Sequence, residues 1–471
     1  MKSWPLFIAS CCILFLFTDR VAGQADVDKP NILLIMVDDL GKEWISCYGA
    51  DDITTPNIDA LAKGGLKFHN AWSMPQCTPT RVTLLTGQYP CRTGWVNHWD
   101  VPRWGVGYFD WREYLTFARV MKSAGYVTCA VGKWQINDFR LEPQAMKKHG
   151  FDDWCMWTGW EAENPASGNR YWDPYINTPE GSRTYPGKFG PDVYTDYLIE
   201  FMKKHRTEPM CLYFPMALTH GPLVQPPGEP KTTDKRAKHK AMVRYTDLLV
   251  GRLVKSLEDL GIRDRTLVIF TTDNGTSKGV LGTIDRVKPS GGKSSKFEGG
   301  VSQPFIVNCP AMVPAGVEVD ALTDFTDLLP TFADLGGAQL PDDVLLDGVS
   351  IAPILLGKTT QSPRPWIMAM GHGAAKLDAQ GVHGTSPFVS RVLRDKKWKV
   401  WVNNKGKIEQ LYDMKADPCE QNNLLPLAQD ARAEMNEAYD KFRRVIESQP
   451  STDARPRYAP RPPNRWDKKQ G

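Results

Sequence analysis

The chain has 471 residues, 41% hydrophobic and 24% charged, a composition ordinary for a soluble globular protein with a large core. Its 58 lysines and arginines against 54 aspartates and glutamates leave a formal charge of +4, which argues against a nucleic acid or a membrane surface held by bulk charge. Electrostatic specialisation, if present, is local.

The first residues run from Lys2 through an apolar stretch, Leu6 to Phe17, to the small residues Ala22 and Gly23 before Gln24. This is the pattern of a secretory signal peptide over residues 1–23, and the apolar stretch is too short for a stable membrane span. Export is expected, to a periplasm or to the medium. Eight cysteines follow, at 47, 77, 91, 129, 155, 211, 309 and 419. Their scattered spacing is not that of a disulfide scaffold, although an exported protein could hold one or two bridges.

Five short runs come next in chain order: "NILLIMVDDLG", "YVTCAVGKWQ", "MCLYFPMALTHGP", "TLVIFTTDNG" and "PFIVN". Continuous apolar runs of this length predict strands buried on both faces, as in a parallel sheet covered by helices. Between them, "PDVYTDYLIEFMKKH" from Pro191 and "AMVRYTDLLVGRLVKSLEDLG" from Ala241 to Gly261 read as helices, the second closed by a capping glycine. The alternation predicts an α/β domain over residues 24–360. Beyond it, "SRVLRDKKWKVWVNN" and "KIEQLYDM" alternate like antiparallel strands, and "LAQDARAEMNEAYDKFRRVIES" reads as an amphipathic helix. A smaller α+β subdomain is expected over residues 361–450, followed by a basic, proline-rich tail over 451–471.

Ligands in open α/β sheets collect beyond the carboxyl ends of the strands. There the runs place Asp38, Asp39, Lys133, His220, Asp273 and Asn274. Three carboxylates and an amide offer only oxygen, which suits a hard cation, Ca²⁺ or Mg²⁺, rather than zinc. The segment "GGKSSKFEGG" lacks the spacing of a nucleotide loop; it is a glycine-rich turn presenting Lys293, suited to a tetrahedral oxyanion. In "SMPQCTPTR", Cys77 and Arg81 would lie one turn apart on a helix. Taken alone, Cys77 is either a thiolate nucleophile or a buried or bridged cysteine.

Together these residues resemble the type I sulfatases of the alkaline phosphatase superfamily. The resemblance rests on Cys-x-Pro-x-Arg with its "LLTG" continuation, then "VDDLG", "GKW", "THGP", "TDNG", "GK…EGG" and a C-terminal "LYDMKADPCEQNNL", in the family's order. It implies a large, mixed, mostly parallel sheet flanked by helices, with a smaller C-terminal domain. It also implies that a maturation enzyme oxidises Cys77 to Cα-formylglycine, whose hydrate attacks the sulfur of a sulfate ester and later expels sulfate. By the same resemblance Asp38, Asp39, Asp273, Asn274 and the modified Cys77 hold Ca²⁺. Arg81, Lys133 and Lys293 spread positive charge around the reacting group, and His220 protonates the leaving oxygen.

The chain departs from the family at "GKWQ", where Gln135 replaces a histidine thought to assist deprotonation of the hydrate. Glutamine cannot accept a proton near neutral pH. Water or another histidine, such as His98, would have to take that step. Nine of the 16 tryptophans lie between Trp95 and Trp172, a segment suited either to stacking on sugar rings or to core packing. The expected substrate is a sulfated small molecule or polysaccharide. The other functions compatible with the sequence are a formylglycine-dependent phosphodiesterase or phosphonate hydrolase, and an inactive binder of sulfated glycans.

Overall fold

The computed structural model describes residues 29–99, 108–161, 164–371, 376–378, 381–383, 387–427 and 433–452. The expected signal peptide and all but the first two residues of the expected tail lie outside them. In chain order the strands of the main sheet are β1 (Asn31–Val37), β2 (Leu66–Trp72), β3 (Val127–Lys133), β4 (Asp153–Trp157), β5 (Tyr175–Thr178) and β6 (Gly181–Thr184). They continue with β7 (Met210–Pro215), β8 (Thr266–Thr272), β9 (Ser302–Asn308), β10 (Val317–Val319) and β11 (Thr323–Asp324).

These eleven strands form one sheet in the order β10-β2-β9-β8-β1-β7-β3-β4-β5-β6, with β11 also on β2. The centre is parallel: β1 pairs with β7 and β8, and β3 with β7 and β4. Antiparallel pairing enters where β9 meets β8 and β2, and where β5 meets β4 and β6. All seven residues of β1 and all seven of β8 are buried. Ile32, Leu34 and Met36 face one core layer and Leu33, Ile35 and Val37 the other, the period of two that a strand covered on both faces requires.

The flanking helices include α1 (Pro56–Lys63), α2 (Cys77–Thr86), α3 (Phe117–Ser123), α4 (Gly190–Lys204), α5 (Lys235–Asp259) and α6 (Leu328–Gly336). Helix α5 begins six residues before the sequence expectation at Ala241. Its first turns, "KRAKHK", carry no apolar stripe, and the helix starts where Asp234 accepts a hydrogen bond from Ala237 N.

Strands β12 (Ile367–Met370), β13 (Lys376–Asp378), β14 (Gly381–His383), β15 (Arg391–Arg394), β16 (Trp398–Val402) and β17 (Ile408–Asp413) follow. A second, antiparallel sheet has the order β12-β15-β16-β17, while β13 and β14 pair only with each other. Helix α7 (Ala433–Ser448) buries Met435, Ala438, Phe442 and Ile446, one face at helical spacing. These side chains share a hydrophobic cluster with Trp72, Met74 and Val301, so the second sheet packs on the strand and loops next to Cys77.

Candidate active site

The parallel strands deliver their carboxyl ends to one place. Asp38 and Asp39 follow β1, Lys133 ends β3, and Asp273 and Asn274 follow β8. His220 lies on the loop after β7, where Asp38 N donates to Leu218 O at 2.7 Å and Thr219 N donates to Asp38 O at 2.7 Å. Asp39 adopts φ 60°, a left-handed conformation that a short polar residue tolerates.

Cys77 opens α2, which is buried along its whole length. Gln76, at the N-cap, does not cap the helix. Its side chain accepts from His98 N at 3.0 Å and donates to Ser294 Oγ at 2.8 Å, tying the Cys77 loop to the glycine-rich turn. The uncapped N–H groups at this end favour negative charge. Cys77 Sγ lies 3.5 Å from Gln135 Oε1 and 3.6 Å from His98 Nδ1. One turn on, Arg81 donates to Asp38 Oδ2 at 2.8 Å, Asp273 Oδ2 at 3.1 Å and Lys133 O at 3.0 Å.

Two further cations complete the cluster. Lys133 Nζ lies 2.6 Å from Asp38 Oδ2, and Lys293 Nζ lies 2.6 Å from Asp39 Oδ1. Asn274 Nδ2 donates to Asp39 Oδ1 at 2.8 Å, Ser277 Oγ to Asp39 Oδ2 at 3.1 Å, and His220 Nε2 lies 3.8 Å from Asp39 Oδ2. All ten residues singled out from the sequence, Asp38, Asp39, Cys77, Arg81, Lys133, Gln135, His220, Asp273, Asn274 and Lys293, thus belong to one constellation.

Burial alone would raise the Asp38 carboxyl, but Lys133, with His220, Arg81 and Lys293, holds it well below the usual carboxylate range. Asp39 is lowered against its burial by Lys293 and His220. Asp273 goes the other way: burial and the neighbouring Asp38 charge push it well above its ordinary value. Burial, reinforced by Lys293, lowers His220 to about 3. Lys293 is half-buried, and against its desolvation Asp39 and Cys77 raise it above its ordinary value.

The oxygen cluster fits a hard divalent cation. Asp38 Oδ1 and Asn274 Oδ1 are buried and accept no hydrogen bond, an uncommon and costly state for such atoms. Asp38, Asp39 and His220 bring ligand-capable atoms within 4.8 Å of one another. Burial and the Asp38 charge raise Asp273, and added positive charge would act against that shift.

Sequence reasoning did not find Gln76, Ser277 or Arg170. Arg170 Nη1 lies 3.1 Å from His220 Nδ1, in a segment of irregular structure with no motif to mark it. The tryptophan-rich region is mostly core: Trp95, Trp99, Trp134, Trp154 and Trp157 are buried, whereas Trp160 and Trp172 are about 40% exposed. All eight described cysteines are free, so the one or two bridges open to an exported chain are absent among the described residues. No described helix is long and apolar enough to cross a membrane.

Comparison with known proteins places these features in context. The family model described as Sulfatase matches residues 30–338, and that described as N-sulphoglucosamine sulphohydrolase, C-terminal, matches residues 292–445. N-acetylgalactosamine-6-sulfatase of Canis lupus familiaris is 32% identical over 377 residues, covering 73% of this chain and 69% of the relative. Arylsulfatase A of Bos taurus is 31% identical over 468 residues, covering 91% and 86%. The crystal structure of Ps i-CgsB in complex with k-i-k-neocarrahexaose has a TM-score of 0.74 at 26% identity, covering 88% of this chain and 93% of that one.

Proposed function

The chain belongs to the sulfatase family and is a sulfuric ester hydrolase, and from that premise we propose that it is exported and removes sulfate from a sulfated carbohydrate with a formylglycine at position 77 and Ca²⁺. The observation that carries this reading is the gathering of Arg81, Lys133 and Lys293 with an oxygen-only acidic cluster around the first turn of the helix that Cys77 opens. The names of the relatives and the oligosaccharide bound to Ps i-CgsB support a carbohydrate substrate. The apolar stretch from Leu6 to Phe17 supports export.

Oxidised by a maturation enzyme, position 77 would supply a nucleophile for sulfur that a cysteine thiol does not provide. Asp38, Asp39, Asp273 and Asn274 would hold Ca²⁺, which supplies Lewis-acid polarisation of sulfate oxygens.

Arg81 and Lys133 share one oxygen of Asp38, an arrangement that fixes both cations and leaves them to balance sulfate charge. Lys293 does the same from the other side of Asp39. His220 directs Nε2 toward Asp39, where it would donate a proton to the departing oxygen. Burial, and after it Lys293, lowers this imidazole, and the negative charge of a bound sulfate would act against that lowering. Gln135 holds position 77 by hydrogen bonding, and the neighbouring His98 is the base within reach of it. On this reading residues 24–360 form the catalytic domain, 361–450 a subdomain behind it, and 451–471 a basic tail. Assay of matched aryl sulfate and aryl phosphodiester tests the proposal: preference for the sulfate supports it, and preference for the phosphodiester overturns it.

A further inference from the structure

Arg170 is a half-buried cation at the edge of the cluster with no carboxylate partner among the described residues. Its guanidinium carbon lies 3.9 Å from the centre of the Trp157 ring, and Nη1 lies 3.1 Å from His220 Nδ1. Nε is buried without a hydrogen-bond partner. Asp39, the carboxylate that faces His220, is committed to Lys293. A cation stacked on an aromatic ring and placed beside a histidine gains no carboxylate counter-charge from the described residues.

The same segment carries the exposed indoles Trp160 and Trp172, 40% and 43% accessible. Both are anchored. Trp160 packs where a Cβ on Gly168 would lie 2.3 Å from its ring, so only glycine permits that approach. Trp172 Nε1 donates to Gln225 O at 3.1 Å, on the loop that follows His220. A guanidinium with an unpartnered Nε beside the proposed leaving-group histidine is suited to an anionic group on the sugar.

We propose that Arg170 recognises a second negative charge on the substrate, a carboxylate or a further sulfate ester on the sulfated sugar or its neighbour. The substrate is then a polyanionic glycan rather than an ester of a neutral one. This rests on the sulfatase reading of the site; the role assigned to Arg170 is specificity.

The test compares three soluble oligosaccharides: one monosulfated and otherwise neutral, one with the same sulfate and an adjacent uronate, and one disulfated. For each, kcat/KM is measured with the mature enzyme and with Arg170→Gln and Arg170→Lys. The expected result is that Arg170→Gln lowers the preference for a doubly charged over the neutral substrate by about tenfold to hundredfold, and that Arg170→Lys retains more of it. Which of the uronate and the disulfated compound responds identifies the recognised group. An equal loss on all three substrates, or no loss, overturns the proposal, because a residue that only positions His220 cannot discriminate among them. Calorimetric binding of the same compounds to Cys77→Ala, with and without Arg170→Gln, reads the same discrimination without turnover. Failure of the mature enzyme to release sulfate from any ester would therefore contradict the functional reading while leaving the Arg170 proposal to stand or fall on binding.

Discussion

Lys293 Nζ lies 2.6 Å from Asp39 Oδ1, although 254 positions separate the two residues in the chain. The loop that carries Lys293 is gripped from behind by the second sheet. Lys399 donates to Lys296 O at 2.9 Å and to Glu298 Oε1 at 3.1 Å, Glu420 Oε1 accepts from Glu298 N at 2.8 Å, and Ser290 Oγ donates to Cys419 O at 2.5 Å.

That grip predicts a coupled loss. Glu298 is half-buried, and against its desolvation Lys399, Arg394 and Lys42 lower it to about 2, while Lys399 itself is fully buried. Lys399→Met leaves Glu298 and Glu420 without their shared cation, a change that costs about 3–5 kcal/mol in comparable buried pairs. Urea unfolding is expected to show that loss, with turnover falling as Lys293 loses its support. Unchanged stability would show that the remaining cations compensate.

Chelation addresses the oxygen cluster. If Asp38, Asp39, Asp273 and Asn274 bind Ca²⁺ in the folded state alone, the ion adds about 2.7 kcal/mol at a hundredfold excess over its dissociation constant. Removal by a chelator is expected to lower the thermal midpoint, and Ca²⁺ to restore it, in wild type and not in Asp39→Ala. A midpoint indifferent to Ca²⁺ would contradict the assignment.

Gln135 sits at φ 72° with Oε1 3.5 Å from Cys77 Sγ. Histidine is among the residues that enter the left-handed region more readily, so Gln135→His is expected to keep the fold. Steady-state turnover should rise or stay the same, because the imidazole adds a base beside position 77. A large loss of activity at an unchanged thermal midpoint would show that glutamine has a role of its own.

Acid stability turns on His149. Its ring stacks on Phe109 at 4.6 Å, Nε2 lies 3.0 Å from Phe109 O, and burial lowers it to about 3. The folded state therefore binds this proton less readily than the unfolded chain. The histidine's contribution is fully present above its unfolded pKa of about 6.5 and is lost as pH falls toward 3, at about 1.4 kcal/mol per pH unit. Urea midpoints of His149→Phe measured between pH 7.5 and 5 are expected to fall less steeply than those of wild type. Parallel curves would place the acid sensitivity elsewhere.

The central sheet and the ligand-bearing strand ends were legible because each run of apolar residues stops abruptly at a polar one, as in "LIMVDD" and "VIFTTDN". The start of α5 was not, since "KRAKHK" has no apolar period and only the cap at Asp234 marks it. Arg170 was hidden for a related reason: stacking on Trp157 and contact with His220 depend on the connection after β4 folding back on its own strand end and meeting the loop after β7. The network of Glu298, Lys399 and Glu420 likewise joins Glu298 to residues 101 and 122 positions further along the chain. Of the described tryptophans between Trp95 and Trp172, five fill the core, Trp111 is half-buried, and Trp160 and Trp172 are exposed; Trp104 lies outside the described residues.

Everything proposed for the site depends on what occupies position 77. Mass spectrometry of the peptide containing Cys77, from protein made in a host with the maturation enzyme, measures it directly. The account predicts an aldehyde-bearing residue that reacts with a hydrazine probe, in a preparation that releases sulfate. An unmodified thiol in a fully active preparation would contradict it.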